Sequence, residues 1–197
     1  MRASQKAVDL IKKWEGIMDG DPTTVNLDPY YCPAGYWTIG WGRVVRDANG
    51  QMLKGRSTAA IARAIYPRGI TMEEAETFLR DDMRSFEFEV NRALRGAAAS
   101  RQTTQGQFDA MVSLCFNIGG GNFVRSSVLR LHLANQRLSD VTENVAVEQM
   151  VRQGRAASNA ADAFLLWNKM TDPSTGQRVT ANGLVNRRRD ERRLYLS

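Results

Sequence analysis

Glu15, Cys32 and Thr38 are the side chains whose types and spacing suit chemistry. Glu15 closes a helical pattern in which Ala7, Leu10, Ile11 and Trp14 recur at i, i+3, i+4 and i+7, with Ser4 as N-cap and Gly16 as stop. A carboxylate there faces the negative end of the helix macrodipole, and packing by Trp14 would desolvate it. Both effects favour the protonated acid, and a neutral carboxylic acid is what protonates a leaving-group oxygen, as in glycoside hydrolysis. The plainer reading is a surface glutamate at a helix end. Thr38 follows Cys32 by six positions, and its hydroxyl either orients a water or belongs to an ordinary β-branched strand residue. Cys32 stays open between core residue, half of a disulfide and reacting group.

The elements that must position these residues follow from local signals. Residues 17–36 carry Asp-Gly, Asp-Pro and Cys-Pro dipeptides and read as a loop. YWTIGWGRVV followed by DANGQ predicts two short strands about a turn near residues 36–54. Gly40 and Gly42 suit a bulge or a close backbone approach. Thr71 and Glu74 form a capping box, after which apolar residues from Ala75 to Leu94 keep helical spacing, predicting a long helix over about 72–95. Phe108, Met111, Val112 and Cys115 repeat the pattern up to Gly119-Gly120-Gly121, which makes Cys115 a core residue. Further helices are expected over 123–135, 139–152, 158–169 and 183–196. The resulting class is α+β, mostly helical.

With 197 residues, 43% of them hydrophobic and 24% charged, the chain has the composition of one ordinary globular domain rather than a disordered one. Two cysteines and a single histidine supply no metal cluster, so neither metal nor cofactor is expected, and a Cys32–Cys115 bridge is disfavoured. No signal peptide or membrane-spanning run is read in the sequence. The net charge of +6 implies attraction to polyanions: nucleic acid, phospholipid or cell-envelope polymer.

The ordered blocks LIKKWEG, PYYCPAGYWTIGWGR, FDAMVSLCFNIGGGNF, FLLWNKM and GLVNRRRDERRLYL resemble the phage lysozyme family, glycoside hydrolase family 24, over most of the chain. The resemblance implies a lysozyme-like fold: one catalytic domain over 1–197, with a small N-terminal β-hairpin lobe at roughly 15–70 and a helical lobe at 96–197. The helix over 72–95 would join the lobes across an active cleft, with no separate wall-binding domain. It implies hydrolysis of the β-1,4 bond between N-acetylmuramic acid and N-acetylglucosamine, with Glu15 as general acid and Cys32 and Thr38 positioning or activating water.

On the family pattern, Phe116 and Asn117 match residues beside the cleft, and Arg187 or Arg188 would hold Glu15. Arg43 stands where the family usually carries histidine and would pair with Asp82. The segment GIMDGDPTTVNLD reads as an insertion. Cys32 falls where relatives carry aspartate or cysteine, and positioning water, attacking carbon and leaving room for Thr38 all remain open as its role. Asp19, Asp21 and Asp28 are substitute bases.

The implied partner is peptidoglycan, reached from the producing cytoplasm through a holin, by a monomer with no specific nucleic-acid partner. The C-terminal arginines read as a solvated face able to contact an anionic envelope. The rival functions are a chitin-type hydrolase and a cationic wall- or membrane-disrupting protein with a degenerate site.

Overall fold

The computed structural model describes residues 1–95, 102–134 and 157–197. They fall into two compact units, residues 11–84 and residues 1–10 with 85–197. The chain crosses from one to the other inside two helices, α1 (Gln5–Glu15) and α3 (Met72–Leu94). α2 (Ala59–Ile65) precedes α3 in the sequence.

The unit 11–84 is built on an antiparallel sheet of β1 (Tyr30–Tyr31), β2 (Trp37–Ile39) and β3 (Arg43–Val44), ordered β1-β2-β3. Tyr30 faces Thr38 and Tyr31 faces Trp37 across the first pair. The pairing runs on through isolated bridges Tyr36–Lys54 and Arg46–Met52, so the β-layer covers the expected 36–54 region but starts earlier, at Tyr30. Trp37, Ile39, Trp41, Val45, Leu53, Ala62, Ile70, Ala75, Leu79 and Met83 form its core with Ile11. Gly40 is required here: its φ is +60°, and a Cβ would lie 3.2 Å from that of Ala75 on α3. The α3 capping box is formed, with Thr71 N–H donating to Glu74 at 2.8 Å and Glu74 N–H to Thr71 Oγ1 at 3.1 Å.

The other unit is helical. α4 (Gln105–Ile118) is buried along residues 106–115 and packs against α8 (Asn182–Tyr195). Gly106 permits that approach, since a Cβ would fall 2.5 Å from the Leu194 carbonyl oxygen. The start of α1 belongs here: Ser4 caps it and holds Asp109 of α4 through its own N–H at 2.9 Å and its hydroxyl.

The helix expected over 123–135 is two, α5 (Gly120–Phe123) and α6 (Ser127–Leu133), because Ser126 turns out of helical conformation to cap the second. The helix expected over 158–169 is the short α7 (Ala160–Ala163) followed by a 3-10 turn, Phe164–Leu166. A hairpin absent from the sequence reading, β4 (Lys169–Thr171) with β5 (Arg178–Thr180), then leads to α8. The expected helix over 139–152 lies outside the described residues.

The reading of the C-terminal arginines as a solvated face is corrected. Arg187, Arg188 and Arg192 are buried, because two buried acids on their own unit claim them. Glu191 receives Arg187 Nε at 3.2 Å, Arg188 Nη2 at 2.9 Å and Ser113 Oγ at 2.8 Å, all on Oε1. Asp162 receives Arg192 Nε at 2.8 Å.

Candidate active site

Cys32 opens the turn that joins β1 to β2. The Gly35 N–H donates to the Cys32 carbonyl at 2.9 Å, and the Cys32 N–H donates to the Tyr36 carbonyl at 2.9 Å. With Gly35 at φ +85°, Pro33-Ala34-Gly35 forms a three-residue hairpin loop whose last residue is left-handed. The first position of such a turn favours Asp, Asn or Ser, whose side chains accept the peptide N–H two residues on. The Cys32 sulfur occupies that place.

Burial pushes the Cys32 thiol up. A Thr38 hydroxyl hydrogen bond and the peptide N–H groups of Tyr36, Ala34 and Gly35 pull it down further, so it ionises below the ordinary thiol range. The Thr38 hydroxyl also lies 3.3 Å from the Tyr36 carbonyl, a long bond, and a charged sulfur is the stronger acceptor for its single hydrogen. Thr38 itself is buried, fixing its hydroxyl, whereas Cys32 is only half-buried and open to a reactant. Both cysteines are free thiols.

Glu15 is the last residue of α1, and Gly16 at φ +66° ends the helix by donating its N–H to the Lys12 carbonyl at 3.1 Å. The stop therefore sits where expected, but Glu15 is exposed rather than desolvated by Trp14. Burial, the second of the two effects read from the sequence, is not supplied by this surface.

Tyr30 was given no role in the sequence reading. It lies two residues before Cys32 and directly across from Thr38, which puts all three side chains on one face of the hairpin. Burial raises the Tyr30 phenol, and the negative charges of Cys32 and Glu15 raise it further, so it stays a hydrogen-bond donor. The signal that could have found it is the period-two spacing Tyr30-x-Cys32.

The substitute bases are engaged elsewhere. Asp19 Oδ1 accepts the N–H groups of Asp21 and Asp28 at 3.1 and 2.8 Å, Asp21 holds Thr23, and Asp28 Oδ2 takes the Thr24 hydroxyl at 2.6 Å. The inserted loop is thus a self-bonded turn. Arg43 pairs with Asp82 as expected, its Nε 3.1 Å from both oxygens and its Nη2 2.7 Å from Oδ1, while the guanidinium lies 4.3 Å from the Phe78 ring centroid. Lys12 and Arg80 both bind Glu76, whose carboxyl they hold down at about 2.

The remaining candidates belong to the helical unit. Phe116 stacks on Phe86 with ring centroids 5.0 Å apart. Asn117 Oδ1 accepts from Arg188 Nη2 at 3.0 Å, and Arg188 and Arg187 share Glu191. Among the described residues no group of three or more His, Cys, Asp or Glu stands ready to hold a metal ion, and no helix is long and apolar enough to cross a membrane.

Residues 12–147, more than half of the chain, match the family model described as phage lysozyme. The chain belongs to the phage lysozyme family. Glu15, Cys32 and Thr38 all lie within the matched stretch. Among relatives, the endolysin of Bacillus phage PZA is 32% identical over 197 residues, covering all of this chain and 56% of that protein. The chain thus spans about half the length of that relative. Two solved structures are similar over the whole chain. One is an endolysin from Escherichia coli O157:H7 phage FAHEc1, with a TM-score of 0.68, 32% identity and 94% of that chain covered. The other is the muramidase domain of SpmX from Asticaccaulis excentricus, with a TM-score of 0.61, 28% identity and 98% covered. The fold of this phage lysozyme family member is accordingly lysozyme-like.

Proposed function

We propose that this chain is a glycoside hydrolase of the endolysin type, cleaving the β-1,4 bond between N-acetylmuramic acid and N-acetylglucosamine in peptidoglycan to lyse a bacterial host. The observation that carries the reading is the hairpin register, which sets Tyr30 across from Thr38 and Cys32 across from Tyr36 on one face, with a Cys32 thiol that ionises below its ordinary range. Glu15 donates its proton to the glycosidic oxygen as the bond opens, and its exposure leaves it accessible to a polymer. Cys32 and Thr38 supply the second half of the reaction. A sulfur that ionises readily accepts a hydrogen bond from water, while the fixed Thr38 hydroxyl orients it towards the sugar carbon. Substrate closing over Glu15 would supply the desolvation that the free surface lacks.

The names of relatives support the same reading: two are endolysins and one is a muramidase domain. In this reading the protein acts on the wall after a holin opens the inner membrane. The rival in which α8 disrupts membranes as a cationic helix is disfavoured, since three of its arginines are buried. The test is mass analysis of muropeptides released from purified peptidoglycan, with chitin oligomers in parallel. Products ending in N-acetylmuramic acid are expected, and Glu15→Gln should lower kcat at least about 10²-fold. Undiminished lysis by Glu15→Gln refutes the mechanism.

A further inference from the structure

The hairpin bearing Cys32 and Thr38 also carries, on the same face, a cation with no internal job. Tyr36 lies directly across from Cys32, one step further along the register that pairs Tyr30 with Thr38. On its other side Tyr36 is bridged to Lys54, so opposing side chains put Lys54 on that face too. The Lys54 Nζ stands 5.5 Å from the centroid of the Tyr36 ring. Lys12, Arg43, Arg68, Arg80 and Arg84 of the same unit each pair with a carboxylate. Lys54 is exposed, and among the described residues no carboxylate lies within ion-pair distance of it. An ammonium parked over a half-buried ring loses less freedom when it takes up an anion than one waving in solvent. The opposite face has a counterpart: Arg56 lies 4.8 Å from the Tyr31 ring centroid, and Tyr31 faces Trp37 rather than Thr38.

We propose that Lys54, seated on Tyr36 beside Cys32, is a subsite for the carboxylates of the short peptides carried by the glycan chain. The proposal rests on the peptidoglycan reading above. A polymer lying across Cys32 and Thr38 brings its peptide substituents past this face, and an anion is what a lysine with no carboxylate partner among the described residues selects there. The subsite favours peptide-bearing wall over a neutral glycan, and it is weakened by salt because the pair is exposed.

The test compares purified peptidoglycan with the same material after its free carboxylates are capped as neutral amides with glycinamide. Binding is read by co-sedimentation and cleavage by released reducing ends. At low ionic strength the wild type should bind the uncapped wall about three-fold more tightly, the size of one exposed ion pair. Lys54→Gln should remove that preference and Arg56→Gln should retain it, with unchanged thermal stability in both. A preference kept by Lys54→Gln, or lost equally in both variants, overturns the proposal. Binding that responds to Lys54 without any cleavage overturns the lytic reading alone, whereas cleavage with no binding difference overturns the role of Lys54 alone.

Discussion

The two cysteines sit in different units, and their thiols are shifted in opposite directions. Cys115 lies inside α4 with no exposed surface, and burial pushes its thiol up to about 12. Cys32 sits at a hairpin turn and is pulled below the ordinary thiol range. Burial acts in the same direction on both but less strongly at the half-buried Cys32, where the Thr38 hydroxyl first and peptide N–H groups after it outweigh burial. A helix interior spends its N–H groups on its own carbonyls, leaving a side-chain sulfur none, whereas a turn leaves some of its N–H groups without a carbonyl partner and able to act on the side chain that opens it. The direction of the shift is set by the surroundings more than by the residue type.

The sharpest way to break this comparison is to put an aspartate at each place. Cys115→Asp buries a carboxylate where the helix offers no donor and should destabilise the protein by more than about 3 kcal/mol, seen as a loss of most of the folded fraction in urea titration. Cys32→Asp should fold normally and retain or raise activity, because the turn's N–H groups and the Thr38 hydroxyl can donate to a carboxylate as they can to a sulfur. A second comparison concerns chemistry alone. Cys32→Ala should lower kcat about 10²-fold with little change in stability, and full activity in that variant would reduce Cys32 to a spacer. Tyr30→Phe, which keeps the ring and removes the donor, is expected to cost about ten-fold in kcat with KM unchanged.

Alkylation separates the thiols directly. Iodoacetamide should modify Cys32 with a rate that rises with pH through a midpoint below that of a free thiol, and should leave folded Cys115 untouched, as peptide mapping would record. The smallest effect is on the turn itself: Gly35→Ala, strained at φ +85°, should cost about 1–2 kcal/mol and move the Cys32 midpoint upward as the N–H groups splay.

Much of the frame was legible in the sequence because its signals are local. The Thr71–Glu74 cap, the Gly16 stop and the apolar spacing of α3 and α4 each depend on residues within a few positions. The same holds for the Cys32–Thr38 spacing, which two paired strands convert into proximity. The turn at Cys32 was half legible, since residues 17–36 read as a loop on dipeptides such as Cys-Pro, but the three-residue connection ending at Gly35 follows only from the register.

What was misread depends on partners distant in sequence. RRRDERR looks like a solvated run, and only Ser113 and Asp162 on other helices turn part of it inward. Glu15 next to Trp14 suggested burial that tertiary packing does not supply. The β4–β5 hairpin had a turn signal in Asp172-Pro173-Ser174-Thr175-Gly176, but strands of three exposed residues show too little alternation to register.

One detail of connectivity bears on how the molecule is made. Residues 11–84 are continuous, so that unit can close as soon as its own stretch has left the ribosome. The other unit needs the first ten residues together with those after 84, and the bond from Ser4 to Asp109 bridges a separation of 105 positions. The helix that ends in Glu15 is thus tethered at its start by a residue translated long after the Cys32 hairpin has formed. Chain order thus makes the Cys32 hairpin complete early and the partner that anchors α1 available late.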